Sequence, residues 1–250
     1  ITADTTKYTG AYALLAMLLY SIQLYADFSG GIDIVIGVSK LFGINMKENF
    51  DAPYLAQNLK EFWRRWHIGL SSWLKDYVYI PLGGKGKLRT KINVVITFVV
   101  SGLWHGANYL LWGLIHGICV AFPQFLTTKW KYLNRVINYL VVSFTWAFFI
   151  WPTTKIALQM MGSVFTNWNY GELFTNLSVF GLDIANGIVL VISILALAIF
   201  DTKKDKIILI LSNKKVATKL AIIGTVSMLV LIFGIYGIGF EVNDFIYSRF

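Results

Sequence analysis

Apolar residues dominate long stretches of this chain, and the polar positions that interrupt them divide it into segments. An apolar run over residues 11–25 ends at Asp27, and a second, over residues 32–44, follows Ser29-Gly30-Gly31. Each is shorter than the ~20 residues a membrane span requires. The pair predicts one tilted span followed by a half-buried helix, with the glycines permitting a sharp turn between them. From Asn58 to Tyr77 the pattern changes. Leu59, Phe62, Trp63, Trp66, Leu70, Trp73, Leu74 and Tyr77 recur at helical spacings and form one stripe. The other face carries Lys60, Glu61, Arg64, Arg65, Ser71, Ser72, Lys75 and Asp76. Those charges are too many for lipid, so this helix is expected along the membrane interface or folded into the protein interior.

Two strongly apolar runs follow, residues 92–100 and 110–122, joined by Ser101-Gly102-Leu103-Trp104-His105-Gly106-Ala107-Asn108-Tyr109. After a basic turn with Lys129, Lys131 and Arg135 comes a span over residues 137–151 that stops at Pro152. A short amphipathic piece then reaches Phe165, and residues 166–177 read as a polar loop. Two closing spans, residues 184–200 and 216–239, flank a basic connector that contains a short apolar patch at residues 207–211. The excess of Lys in the connector assigns it to the cytoplasm. Counting back through the spans puts the 166–177 loop outside, and both the Lys129–Arg135 turn and the Lys85, Lys87, Arg89, Lys91 cluster inside. The C-terminus falls outside. The fold class expected is all-α and polytopic transmembrane, with amphipathic or re-entrant helices between spans.

Composition supports that reading. The 250 residues are 56% hydrophobic, 16% aromatic and 14% charged, against about 25% charged in a soluble domain. Mean hydropathy is +0.62. A single compact core of this length cannot bury such a surplus, so lipid is the expected solvent. The net charge of +9 sits in short clusters between apolar runs rather than along one face, which argues for topology signals and against nucleic acid. Cys119, the single cysteine, lies inside an apolar run and permits no intrachain disulfide. The chain opens at Ile1 with neither an initiator Met nor a secretory signal, and the expectation is the C-terminal portion of a longer protein. It is read as a single membrane domain over residues 1–250, with a motif-bearing core at 11–126 and closing helices at 137–250.

Few residues can carry chemistry. The three histidines, His67, His105 and His116, lack the close spacing of joint metal ligands, so no metal site is expected. No nucleophile elbow occurs, because Gly37-Val38-Ser39-Lys40-Leu41 lacks its second glycine. His105, between Trp104 and Gly106 at the junction of two apolar runs, is a functional candidate by its depth, or else a core histidine bonded to a nearby carbonyl. His67 borders the amphipathic stripe. Gly113-Leu114-Ile115-His116-Gly117 echoes Gly102 to Gly106, and both are small-xxx-small patterns that let helices approach closely. On a continuous helix His116 would stand roughly 16 Å from His105, too far to share one atom. Arg64 and Arg65 suit an anionic group such as a coenzyme phosphate, though such a pair more often forms a solvated or headgroup-facing surface. Asp27 and Asp33 are either proton-pathway groups or caps of the glycine turn.

Five blocks carry a resemblance. Tyr25-Ala26-Asp27-Phe28-Ser29-Gly30-Gly31-Ile32-Asp33, Asn49 through Pro53-Tyr54, Glu61-Phe62-Trp63-Arg64-Arg65-Trp66-His67, Asp76 through Gly83-Gly84, and Gly102 through Asn108 look like successive motifs of the membrane-bound O-acyltransferase superfamily. More narrowly they resemble its bacterial alginate O-acetyltransferase branch, as does the ending Phe245-Ile246-Tyr247, although Ser248-Arg249 departs from that branch. The resemblance implies an enzyme with a ring of tilted spans around a thin centre, in the bacterial cytoplasmic membrane. It implies that His105 matches an essential intramembrane histidine and His67 a second one, with Arg64, Arg65, Trp66, Trp104 and Asn108 shaping the donor and substrate sites. It also implies acetyl-CoA as donor substrate with no bound cofactor. The partners implied are membrane lipid, an extracytoplasmic polysaccharide and an extracytoplasmic acetyltransferase. A general base suits this chemistry, since attack of a hydroxyl on a thioester requires removal of a proton. D-alanyl transfer to teichoic acid is the alternative within the class. A transporter subunit is the alternative outside it, though no repeated halves with interrupted helices are evident.

Overall fold

The computed structural model describes residues 4–83, 86–172 and 184–234. Gly84, Lys85, residues 173–177 of the expected polar loop, the end of the last expected span and the terminal motif at 245–250 lie outside the described residues. The chain divides into two compact units, Ile1–Asn176 and Leu177–Phe250. Every regular element among the described residues is helical.

The first unit opens with α1, Ala11–Leu41. The expected turn at Ser29-Gly30-Gly31 is absent, and the helix runs straight through. In an apolar surrounding an opened helix would leave backbone N–H and C=O groups without partners, and that cost exceeds the modest penalty of glycine in a helix. Ser29 adapts by donating its hydroxyl to the Tyr25 carbonyl one turn back, at 2.7 Å. Met17, Ser21, Leu24, Tyr25 and Phe28 form the buried stripe. Polar rungs join it to α6, Lys131–Thr145: Ser21 Oγ donates to Ser143 Oγ at 2.7 Å, and the Tyr139 hydroxyl to the Leu18 carbonyl at 2.8 Å.

The amphipathic stretch expected as one helix is broken. It forms α2, Leu59–Arg65, then α3, Ile68–Leu74, then a π-helical turn, Lys75–Tyr79. A capping box starts α2: Asn58 Oδ1 accepts from Glu61 N–H, and Glu61 Oε2 accepts from Gln57 N–H, both at 2.8 Å. The break falls at Trp66 and His67.

Helices α4, Lys87–His105, and α5, Leu110–Ala121, form an antiparallel hairpin. The chain reverses at Gly106, whose φ of 124° lies outside the range of other residues, and passes through a 3₁₀ turn, Ala107–Tyr109. The glycine pattern does bring the two backbones together. A methyl group added at Gly102 would stand 2.5 Å from the Tyr109 carbonyl oxygen and 3.3 Å from the Gly113 Cα, and one added at Gly113 would collide with the Phe98 carbonyl oxygen. The hairpin also overturns the continuous-helix separation of His105 and His116, because the two now lie on different helices.

Helix α6 passes into α7, Ala147–Ile150. Pro152 ends that segment as expected, and Thr153 caps α8, Thr154–Thr166, by accepting from the Ile156 N–H.

The second unit holds α9, Ile184–Ser212, and α10, Val216–Phe233. The basic segment after Phe200, expected as a connector, continues the helix, with one non-helical residue at Lys203, φ −131° and ψ 15°. Lysine is a good helix former, and the Thr202 hydroxyl bonds back to the Ala198 carbonyl at 2.8 Å, so the charged stretch is helical on both sides of a kink at Lys203. Among the described residues, four segments are long and apolar enough to cross a membrane: Ala11–Leu41, Lys131–Ile150, Asn186–Ser212 and Val216–Phe233.

Candidate functional site

His105 is the last residue of α4 and stands at the tip of the hairpin. Its ring is half-buried and meets three aromatic rings edge to face: Phe149 at 5.6 Å, Trp112 at 5.9 Å and Tyr109 at 6.2 Å. One edge of the imidazole is therefore packed in the core while the ring keeps access to the outside of the unit.

His67 occupies the break between α2 and α3 with φ 46° and ψ 54°. A non-glycine residue in this region costs about 1–3 kcal/mol and persists only where its surroundings impose it. Asn49 imposes it here. Its backbone carbonyl accepts from Ile68 N–H at 3.0 Å and its side-chain oxygen from Gly69 N–H at 2.8 Å, which supplies the α3 amides that His67 leaves uncapped. The Phe28 ring packs edge to face on the imidazole at 4.8 Å. Burial first, and the charge of His105 second, hold His67 below its ordinary pKa, at about 4. His67 is thus a neutral imidazole at neutral pH, and its electrostatic neighbour His105 lies 38 residues away in sequence.

The remaining predicted residues separate. Trp66 is buried and stacks on Phe62 at 5.4 Å, with Phe50 at 5.1 Å and Trp146 at 5.4 Å, so it belongs to the aromatic core beneath His67. Trp104 is exposed and rests on Trp73 at 5.4 Å. Asn108 ties the hairpin tip to the start of α8: its amide reaches the Pro152 carbonyl at 3.4 Å, and its own carbonyl accepts from the Thr154 hydroxyl at 3.0 Å. The two arginines face different ways. Arg65 pairs with Glu61 at 2.8 Å and reaches the Asp51 carbonyl at 3.3 Å. Arg64 is exposed and lines a cavity of about 320 Å³ between α2, α3 and α4. Lys60 and Lys75 share its wall with Trp63, Leu70, Leu74 and Phe98. The wall also includes Ile68 and Ser101, next to His67 in the chain and about one helical turn before His105, while neither imidazole lines it. Among the described residues no group of three His, Cys, Asp or Glu could hold a metal ion.

His116 has a role that the sequence did not reveal. It is 1% exposed. Trp63 Nε1–H donates to its Nδ1 at 3.1 Å, and its Nε2 lies 2.8 Å from Thr145 Oγ1. The Thr145 hydroxyl proton goes to the Val142 carbonyl at 2.9 Å, so Thr145 can only accept from the imidazole. The chain of donors fixes a neutral ring that pins α2, α5 and α6 together. His116→Ala removes the acceptor of a part-buried indole N–H and leaves a void. We expect a loss of about 3 kcal/mol of stability, read by thermal unfolding in detergent. Only the hairpin reversal, encoded by Gly106 and the two facing glycine patterns, could have brought this residue to notice.

These features define a polytopic helical membrane protein with one imidazole, His105, at the tip of a helical hairpin and another, His67, at the break between α2 and α3. Residues 2–163 match the family described as MBOAT, membrane-bound O-acyltransferase family, and the chain belongs to that family. It is 41% identical over 204 residues to a probable alginate O-acetylase of Pseudomonas putida, covering 75% of this chain and 40% of the relative. A peptidoglycan O-acetyltransferase of Helicobacter pylori is 40% identical over 161 residues, 60% of this chain and 31% of that protein. A teichoic acid D-alanyltransferase of Bacillus subtilis is 34% identical over 151 residues, 54% of this chain and 38% of that protein. The chain spans less than half the length of each of these relatives. The likeness supports the alginate O-acetylase-like branch that the motif blocks indicated.

Proposed function

We propose that this protein transfers an acetyl group from acetyl-CoA, entering from the cytoplasmic side, to hydroxyl groups of an extracytoplasmic polysaccharide, with His105 as general base. The observation that carries this reading is the half-buried His105 ring, held by Phe149, Trp112 and Tyr109 at the tip of the hairpin. The cation of Lys91, 4.1 Å from the Phe122 ring, marks the base of the hairpin. His105 lies 14 residues further along α4, about 21 Å at the helical rise, within a hydrocarbon layer of about 30 Å. A base at that depth can receive a hydroxyl from one face and a thioester from the other.

In the proposed step the hydroxyl oxygen attacks the thioester carbonyl carbon while a His105 ring nitrogen takes the hydroxyl proton. The C–S bond then breaks, and the imidazolium returns the proton to the departing thiolate. His67 donates an N–H to the carbonyl oxygen as negative charge develops there. The cavity beside the histidines supports the donor assignment, since the ammonium and guanidinium groups of Lys60, Lys75 and Arg64 suit phosphates, and Trp63, Leu70, Leu74 and Phe98 suit an apolar arm. Lys60→Ala with Lys75→Ala is expected to raise the KM for acetyl-CoA about tenfold or more, with kcat little changed, in steady-state transfer assays. The acceptor class rests on the glycan-modifying relatives. The bacterial cytoplasmic membrane, the extracytoplasmic acetyltransferase partner and the assignment of residues 11–126 as catalytic core rest on the motif resemblance.

Acetyl-CoA thioester cleavage by the full-length protein in detergent, compared with His105→Ala and His67→Ala, tests the reading. Full activity in correctly folded His105→Ala would remove the base from this position. Activity only with carrier-bound D-alanine would shift the donor to that of the teichoic acid D-alanyltransferases.

A further inference from the structure

We propose that Asn49 is a positioning residue whose carboxamide fixes His67 as the Nε2–H tautomer, so that the ring presents a hydrogen-bond donor to the reacting centre. The inference rests on the reading that His67 belongs to the site. A backbone N–H can face only an acceptor, so the 2.8 Å contact with Gly69 N–H identifies Asn49 Oδ1. The amide nitrogen is then the other atom, and it lies 3.3 Å from His67 Nδ1. Oδ1 is slightly further from that ring nitrogen, 3.4 Å, and its contact with Gly69 N–H is the shorter one. Of the two arrangements the chemistry allows, Nδ1–H donating to Oδ1 and Nδ2–H donating to an unprotonated Nδ1, the second uses the closer atom and gives the carboxamide N–H an acceptor while Oδ1 serves Gly69. A neutral imidazole has one proton, and it must then sit on Nε2.

The same residue holds the backbone. The Asn49 carbonyl accepts from Ile68 N–H at 3.0 Å, so the left-handed turn that aims the ring and the bond that sets its proton come from one side chain and one peptide group. The Phe28 ring, 4.8 Å away and nearly perpendicular, limits rotation of the imidazole. A methyl group at Gly69 would come within 3.3 Å of Asn49 Oδ1, so the carboxamide would have to give way slightly. Arg65 does not compete for the carboxamide, since it is turned to Glu61 and to the Asp51 carbonyl.

The test uses the full-length protein in detergent with ¹⁵N-labelled histidine, the His67 signals being those lost in His67→Ala. In the wild type, long-range proton–nitrogen spectra should show a protonated Nε2 and a bare Nδ1. Asn49→Asp keeps an acceptor for Gly69 N–H but sets a carboxylate oxygen against the ring, which draws the proton to Nδ1. We expect the His67 nitrogen pattern to change and kcat to fall at least tenfold, with the donor KM and the melting temperature close to wild type. Asn49→Ala should lower both kcat and melting temperature. A wild-type pattern with Nδ1 protonated, or an Asn49→Asp protein with wild-type kcat or an unchanged pattern, would overturn the inference. Should His67→Ala itself retain full activity, the functional role of His67 fails, while the tautomer remains decided by the spectrum.

Discussion

His105→Ala in the full-length protein is expected to slow acetyl transfer about a hundredfold to ten-thousandfold, the range that a positioned general base contributes. The substitution is mild structurally. His105 ends α4, the reversal after it is made by Gly106, and the ring is only half-buried. Melting temperature and membrane insertion should therefore remain near wild type, which separates a chemical loss from a folding loss. His105→Gln is the sharper variant, because it keeps polarity and approximate size but cannot take a proton at neutral pH. It should be about as inactive as the alanine variant. If it recovered most of the activity, the ring would be acting as a hydrogen-bond partner and not as a base.

Gly113→Ala should have the largest effect on stability. The added methyl group meets the Phe98 carbonyl of the facing helix, a backbone atom that cannot swing aside as a side chain could. Gly102→Ala meets the Tyr109 carbonyl at 2.5 Å in the same interface. Either substitution forces α4 and α5 apart, and overpacking against a rigid partner costs about 3 kcal/mol or more. Activity should fall with stability, because the same interface carries His105. Gly30→Ala and Gly37→Ala supply the contrast. Nothing lies within 4 Å of a methyl group at either position, and alanine favours the helix over glycine by about 0.5–1 kcal/mol. These variants should melt at or slightly above the wild-type temperature.

The features written locally in the sequence were legible. The apolar runs located the long helices, Pro152 gave the end of α7, and the paired small-residue patterns gave the close helix approach now seen between Gly102 and Gly113. Motif blocks pointed to His105 and His67, whose roles are those proposed above. The errors share a cause, which is that tertiary partners decide local breaks. Ser29-Gly30-Gly31 looked like a turn, but apolar surroundings keep the helix intact there. The stripe from Asn58 to Tyr77 looked unbroken, but Asn49, 18 residues before His67, opens it. His116 was missed because its partners, Trp63 and Thr145, come from helices 53 and 29 residues away. Arg64 and Arg65 read as a pair, and only the positions of Glu61 and Asp51 separate them.

The unequal arms of the hairpin bear on how cargo crosses the bilayer. α4 has 19 residues and α5 only 12, so the reversal lies short of the far membrane face when the Lys91 end is held at the near one. On the proposed topology, an acyl donor bearing several phosphate charges never has to leave the cytoplasmic side, because the attacking hydroxyl comes down to meet it. Only the uncharged acetyl group changes compartments, as an ester. The electrostatic barrier that the bilayer raises against an anion is thereby never climbed, and a translocation problem becomes a bond exchange at a single narrow point.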